Sequence, residues 1–220
     1  MKKDIVAPGI VIYRNVLSKD LNIIERLERA LNIQNSPFKW NKAQVGYFEN
    51  NQDHRNCQDF KYKKEDIQFA ENIYKEELLS IHEDVYSVIR KCLDDYGSIY
   101  GVNINYIEAF NMVKYGPGEK FNVHSDDGDP YRCTVSIVGY PNDDYEGGEL
   151  WFDKFDIKIK PNAGDFVLSP SSFVYSHAAL PVTSGIKYSI VIMTDRNEFA
   201  HRADSPVYYD MDYREKHGLL

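Results

Sequence analysis

No stretch of the 220-residue sequence approaches the roughly 20 consecutive apolar residues that cross a bilayer, so membrane-spanning helices are not expected. The opening segment MKKDIVAPGIVIYRN carries two lysines but no sustained apolar core, so it does not read as a secretion signal. Cysteine is scarce: Cys57, Cys92 and Cys133 cannot all pair within one chain, and none lies in a CxxC. Reduced thiols in a cytoplasmic protein are the simpler reading than a disulfide framework. Positive charge is also short, with 26 Lys and Arg against 34 Asp and Glu and a net charge of −8. That balance argues against a broad grip on nucleic acid. Lys61, Lys63 and Lys64 form the densest basic cluster, and such a cluster reads as solvated surface. Repeats, low-complexity tracts and interdomain linkers are missing, as are Walker and dinucleotide fingerprints; Gly147 and Gly148 read as a tight turn. One domain over residues 1–220 is expected, large enough for a substantial core.

What is present divides into two halves. Residues 1–100 read mainly as helical support. Ser18 is a candidate N-cap, followed by Leu21, Ile24, Leu27 and Leu31 at helical spacing. The polar stretch Asn50–Lys64 reads as a loop. From Ile67 to Tyr96 the periodicity predicts a helix whose apolar face holds Ile81, Val85, Val88, Ile89, Cys92 and Leu93. After Gly101, short apolar or alternating runs bounded by Gly, Pro, Asn and Asp predict strands: Tyr106–Tyr115, Cys133–Tyr140, Glu149–Phe152, Phe155–Ile159, Phe166–Leu168, Phe173–His177 and Lys187–Thr194. The expected architecture is α+β with a mainly β core. It is a double-stranded β-helix, or jelly roll, over residues 101–197, buttressed by N-terminal helices. A polar, tyrosine-rich tail, residues 198–220, follows.

The chemistry centres on His124-Ser-Asp126. Residues two apart on an extended segment share a face, so one imidazole and one carboxylate can converge on an ion. His177, at the end of the run FVYSH, offers a third ligand. Two imidazoles and a carboxylate on one face of an octahedral ion leave three positions open, as in non-haem iron(II) oxygenases, although zinc accepts the same donors. Ten residues beyond His177 lies Lys187, inside the apolar run IKYSIVIMT. A lysine in a core strand is costly unless an anion neutralises it. Lys187 and Ser189 face one side and could hold one carboxylate of a dicarboxylate whose other end chelates the metal.

Ordered blocks from Tyr106 to Thr194 resemble the prolyl 4-hydroxylase-like group of iron(II)/2-oxoglutarate dioxygenases. MVKYGPGEKFNVHSD is similar to that group's Y-x-x-G…H-x-D segment, RCTVSIVGYPND to its R-x-x-T…Y-L-N block, and EGGELWF to its GG-x-(L/T)-x-F strand. KPNAGDFVLSPSSFVYSHAALPVTSGIKYSIVI resembles its P-x-x-G…H-x-x-x-P-V-x-x-G-x-K run. The resemblance implies iron(II) held by His124, Asp126 and His177, and the distal carboxylate of 2-oxoglutarate paired with Lys187. It also implies Tyr115 and Tyr140 in the co-substrate pocket, O2 as oxidant and ascorbate as reductant. Arg132 resembles the arginine near the substrate entrance, but it precedes Thr134 by two residues where the group has three. Leu150 stands where collagen-type members carry a threonine.

The implied substrate is a prolyl residue in a peptide or protein, contacted by the segments 50–64 and 127–131. A free amino acid, small metabolite or nucleobase is the alternative; for the nucleobase, a second arginine six positions after Lys187 is missing, since residue 193 is Met. A non-catalytic cupin-like metal- or ligand-binding module is the alternative of another class, and it gives Lys187 no task.

Overall fold

The computed structural model of the protein describes residues 1–32, 36, 38–45, 51–68, 75–128, 132–198 and 201. The chain opens with two strands, β1 (Lys3–Ala7) and β2 (Ile10–Tyr13), then helix α1 (Ile23–Leu31). Three short strands follow, β3 (Asn41–Lys42), β4 (Arg55–Asn56) and β5 (Gln58–Tyr62), then helices α2 (Lys64–Gln68) and α3 (Lys75–Tyr100). The second half is β6 (Tyr106–Ile107), β7 (Phe110–Tyr115), β8 (Lys120–His124), β9 (Val135–Gly139), β10 (Glu146–Gly147) and β11 (Leu150–Phe152). It continues with β12 (Ile157–Ile159), β13 (Phe166–Pro170), β14 (His177–Ala179), β15 (Val182–Ser184) and β16 (Lys187–Asp195).

The major sheet runs β1-β2-β13-β9-β16-β7-β5-β3, with β6 paired to β16, and the minor sheet runs β12-β11-β14-β8-β4. Strands β10 and β15 form a separate pair. The predicted jelly roll with buttressing helices is what folds. Strand alternation sorts the major sheet's side chains between two layers. Phe110, Met112, Ile137, Phe166, Ile190 and Ile192 pack with Leu27, Ile81, Val85 and Ile89 of α1 and α3. From the opposite face, Ile10, Ile12, Val138 and Val167 pack with Leu150, Phe152 and Ile159 of the minor sheet. The site therefore lies on the face turned away from the helices. Gly139 lies at a tight point of the sheet: a Cβ there would stand 2.5 Å from the Phe166 ring.

The structure departs from the sequence reading in four places. Helices hold more of residues 1–100 than strands do, but five strands, β1 to β5, also lie within residues 1–62 and were not expected there. The expected loop Asn50–Lys64 contains β4 and β5; Phe60 and Tyr62 fill the helix-side core while Asp59 and Lys61 point the other way. Asn50 lies outside the described residues. Ser18 caps a short 3-10 turn, accepting from the Asp20 amide at 3.2 Å, and α1 starts four residues later on Asn22. Its buried face is Ile23, Leu27, Ala30 and Leu31, and Ile24 is only partly buried. Phe173–Tyr175 is a 3-10 turn, with the strand starting at His177. The segment 129–131, the tail 202–220 and His217 lie outside the described residues.

Candidate metal centre and co-substrate chamber

His124 ends β8 and His177 begins β14, and the antiparallel register places the two directly opposite each other. Cross-strand partners are the closest neighbours a sheet offers. Asp126 lies just beyond β8, and one donor atom from each of the three residues falls within 4.8 Å of the others. The Nε2 atoms of His124 and His177 stand 3.5 and 3.6 Å from the two oxygens of Asp126. His124 Nδ1 lies 2.8 Å from the Asn122 carbonyl, and His177 Nδ1 lies 3.1 Å from that of Tyr175. A ring nitrogen facing a carbonyl carries the proton, which leaves both Nε2 lone pairs facing the carboxylate.

Asp126 is buried, and its Oδ2 is left without a hydrogen-bond partner. Burial disfavours its charged form, yet the neighbouring histidines hold the carboxyl well below the usual carboxylate range. Burial also pushes His177 down, against the pull of Asp126. An anionic carboxylate with an unpartnered oxygen beside two imidazole lone pairs fits a divalent cation. The Ser136 hydroxyl bonds the Asp126 carboxylate and lies 2.8 Å from Ser171 Oγ, so the carboxylate is braced from behind.

A cavity of about 70 Å³ leads inward from these ligands. Tyr115, Tyr140, Leu150, Lys187 and Ser189 line it, together with Val113, Val138, Ala179 and Val191. Lys187 and Tyr115 are cross-strand partners, and the lysine Nζ lies 5.1 Å from the Tyr115 ring centroid and 5.5 Å from that of Tyr140. Its Nζ donates to the Gly148 carbonyl at 2.7 Å. Gly148 has φ +65°, and a Cβ there would press on Lys187 Cδ at 3.1 Å, so glycine clears the lysine's path. Burial first, and then Lys160, pull Lys187 down to about 7. Burial pushes both tyrosines up, so both remain phenols able to donate, and the Tyr140 hydroxyl has no partner. A buried cation and an unpartnered phenol at one end, with metal donors at the other, are complementary to a dicarboxylate.

Arg132 is not brought into this group: it is exposed and lines neither the chamber nor the space outside it. Of the leftover histidines, His54 packs edge-on against Phe121, His82 stacks on Phe110, and His201 pairs with Asp195 at 2.9 Å. The sequence reading missed Arg55 and Asn111, which line the chamber beside the ligands. The period-two pattern of Asp59-Phe60-Lys61-Tyr62 was the available signal for the strand that follows Arg55.

Outside the ligands a wider vestibule of about 510 Å³ opens, lined by Gln44, His54, Asp59, Lys61 and Ser125 among others. Arg55, Asn111, Phe121, His124, Asp126 and Met193 border both spaces.

Known proteins share these features. Residues 110–194 match the sequence profile of the 2OG-Fe(II) oxygenase superfamily. A protein of Acanthamoeba polyphaga mimivirus predicted to be a prolyl 4-hydroxylase is 27% identical over 109 residues, 40% of this chain and 45% of that relative. The match thus spans less than half of the relative's length. Among solved structures, a Trichoplax adhaerens prolyl hydroxylase in complex with a hypoxia-inducible-factor peptide superposes with a TM-score of 0.65 at 17% identity, covering 86% of this chain and 84% of the other. A Pseudomonas putida prolyl-4-hydroxylase superposes at 0.56 and 18% identity, covering 86% and 93%. The viral collagen prolyl hydroxylase of Paramecium bursaria chlorella virus 1, in its 2-oxoglutarate complex, superposes at 0.56 and 17% identity, covering 84% and 95%. At these identities the structures share a fold. Residues 110–194, which supply His124, Asp126, His177 and Lys187, are thus similar in sequence to the 2OG-Fe(II) oxygenase superfamily, and the chain shares its fold with solved prolyl hydroxylases.

Proposed function

We propose that the protein is an iron(II)- and 2-oxoglutarate-dependent dioxygenase that hydroxylates an unactivated C–H bond, with a prolyl residue of a peptide or protein as substrate. One observation carries the reading: the three metal donors and the buried Lys187 border the same small chamber. His124, Asp126 and His177 would hold iron(II), which with 2-oxoglutarate and O2 supplies the oxidising power for C–H hydroxylation. The chain's own work is placement. Lys187 fixes the distal carboxylate of the co-substrate by charge, with Tyr115, Tyr140 and Ser189 as hydroxyl neighbours. Val113, Val138, Leu150 and Val191 keep water from the chamber, so that charge acts in a low dielectric. Arg132, at the surface, has no assigned part in this arrangement.

Ascorbate would serve as the reductant that keeps the metal ferrous. Three buried free cysteines accord with a reducing, cytoplasmic setting. Among the described residues no helix is long and apolar enough to cross a membrane.

The test is incubation with iron(II), ascorbate, 2-oxoglutarate and a library of proline-containing peptides. Succinate release is expected together with a mass gain of about 16 on a prolyl peptide, one oxygen atom. Succinate released only with free amino acids or small metabolites would move the substrate off proteins. No succinate with any substrate would overturn the oxygenase reading.

A further inference from the structure

Two buried polar atoms beside the metal centre have no partner: Arg55 Nε, a donor, and Asn111 Oδ1, an acceptor. Each such orphan is costly to bury, and native structures keep few without a use. Both residues line the chamber and the vestibule where the two meet.

Asp59 explains why these two atoms are the ones left over. Its carboxylate receives Arg55 Nη2 at 3.1 Å and is also hydrogen-bonded by the Asn111 side chain. A carboxylate accepts only, so Asn111 turns its NH2 toward Asp59 and is left with a free carbonyl oxygen. Arg55 Nη1 is spent on the Gln44 carbonyl at 2.7 Å. Also near the guanidinium are the Tyr115 hydroxyl and the Cys57 thiol, which takes a hydrogen bond from it but is a weak acceptor. The guanidinium carbon lies over the Phe121 ring, 4.9 Å from its centroid, and that ring stacks on His124 at 3.6 Å. The orphan donor is thus one aromatic ring away from a metal ligand. Strand pairing fixes the framework, since β4 pairs with β8 at Arg55↔Phe121 and β5 pairs with β7 at Lys61↔Asn111.

One donor and one acceptor lining the same space complement a group that offers one of each. A free carboxylate offers acceptors alone and an ammonium donors alone, whereas a peptide unit offers C=O and N–H. We propose that Arg55 and Asn111 are the substrate-recognition pair of this site: Arg55 Nε donates to a backbone carbonyl, and Asn111 Oδ1 accepts a backbone N–H from the same substrate chain. A prolyl residue fits this pairing, because proline keeps its carbonyl and the next residue supplies the N–H. The inference rests on the oxygenase reading of the chamber and adds to it the feature by which the substrate is recognised as a peptide. Arg55 and Asn111 are specificity residues here, and Asp59 is the positioning residue that orients both.

The test is calorimetric titration of the full chain, under anaerobic conditions with iron(II) and 2-oxoglutarate. The probes are capped tripeptides, acetyl–X–Pro–X–amide, and their esters, in which oxygen replaces the N–H after proline. The wild type is expected to prefer the amide by about tenfold, the weight of one buried hydrogen bond. Asn111→Leu should lose most of that preference, the small remainder reflecting the ester carbonyl's weaker acceptance from Arg55; Asn111→Ala, which adds no bulk, serves if that variant fails to fold. Arg55→Lys keeps a cation for Asp59 but lacks the Nε donor, so it should lose about tenfold on both probes and keep the amide preference. An amide preference that survives in full in both Asn111 variants overturns the pairing, as does wild-type affinity in Arg55→Lys. Adenosine binding that excludes the peptides would make the partner a nucleobase edge and overturn it too. If 2-oxoglutarate binds but no peptide does, the recognition pair is wrong while the oxygenase reading stands. If 2-oxoglutarate itself does not bind, the oxygenase reading fails instead.

Discussion

The chamber and the vestibule meet at His124 and Asp126, yet they are built on opposite principles. Inside, Val113, Val138, Leu150 and Val191 surround Lys187, so one charge acts in a dry setting. Outside, Gln44, His54, Asp59, Lys61 and Ser125 line a space about seven times larger, where water screens what each group can do. The inner space comes from the C-terminal strands that also carry the ligands; much of the outer wall comes from residues 44–61. Chemistry that must not vary is assigned to the rigid, dry half. Recognition of a partner is assigned to the wetter one.

The comparison breaks most decisively at the shared boundary. Asp126→Ala removes the anionic ligand and leaves two imidazoles facing a void. Iron retention should fall well beyond the roughly 10–100-fold that changes behind a ligand set cost. Metal analysis after dialysis checks this, and unchanged iron content would remove Asp126 from the ligand set. Next in size, Lys187→Met should weaken 2-oxoglutarate binding by about a hundredfold, because a buried carboxylate loses its charged partner. Iron should stay bound. Equal loss of iron in that variant would show that chamber and metal centre are one unit, not two.

A graded version uses pH. Unliganded, Lys187 lies near Lys160 and Glu149 and is held down to about 7 by burial; paired with a dicarboxylate it stays protonated. Affinity for 2-oxoglutarate is therefore full below pH 7 and falls as pH rises, approaching tenfold per unit. Lys187→Met should flatten that slope between pH 7 and 9. A slope that persists in the variant belongs to another group.

The same division governs how much could be read from the sequence. Inside, Lys187 announced itself through conflict with its surroundings, the HxD pair through its spacing, and Tyr115 and Tyr140 through the resemblance alone. Lys187 interrupts a core strand, and His124 and Asp126 share the face of an extended segment. Such features have few solutions, and the structure keeps Lys187, Ser189, Tyr115 and Tyr140 around one space. Outside, Arg55 and Asp59 sit in a polar stretch where charge is ordinary, so nothing marked them. Two of the strands there, β3 and β4, span two residues each, too short to show periodicity, and the pairing of β4 with β8 and of β5 with β7 is a tertiary fact. Arg132 illustrates the converse. A resemblance placed it at an entrance; the structure shows it exposed and lining neither space.

The smallest expected effect is the sharpest test of the boundary. The His54 side chain meets the edge of Phe121, at 5.5 Å between centroids, and lines the vestibule without reaching the chamber. His54→Ala should raise the KM for a peptide substrate by only a few-fold, as rim contacts do, and leave kcat and 2-oxoglutarate affinity alone. Phe121 also stacks on His124, so a rim change has a physical route to the metal if the ring is loosely held. Arg55 on that ring and the pairing of β4 with β8 argue that it is not. Weaker 2-oxoglutarate binding in His54→Ala would mean that Phe121 moves and that the two spaces are coupled. A KM effect confined to the peptide would mean that the chamber's geometry is set without help from the wall outside it.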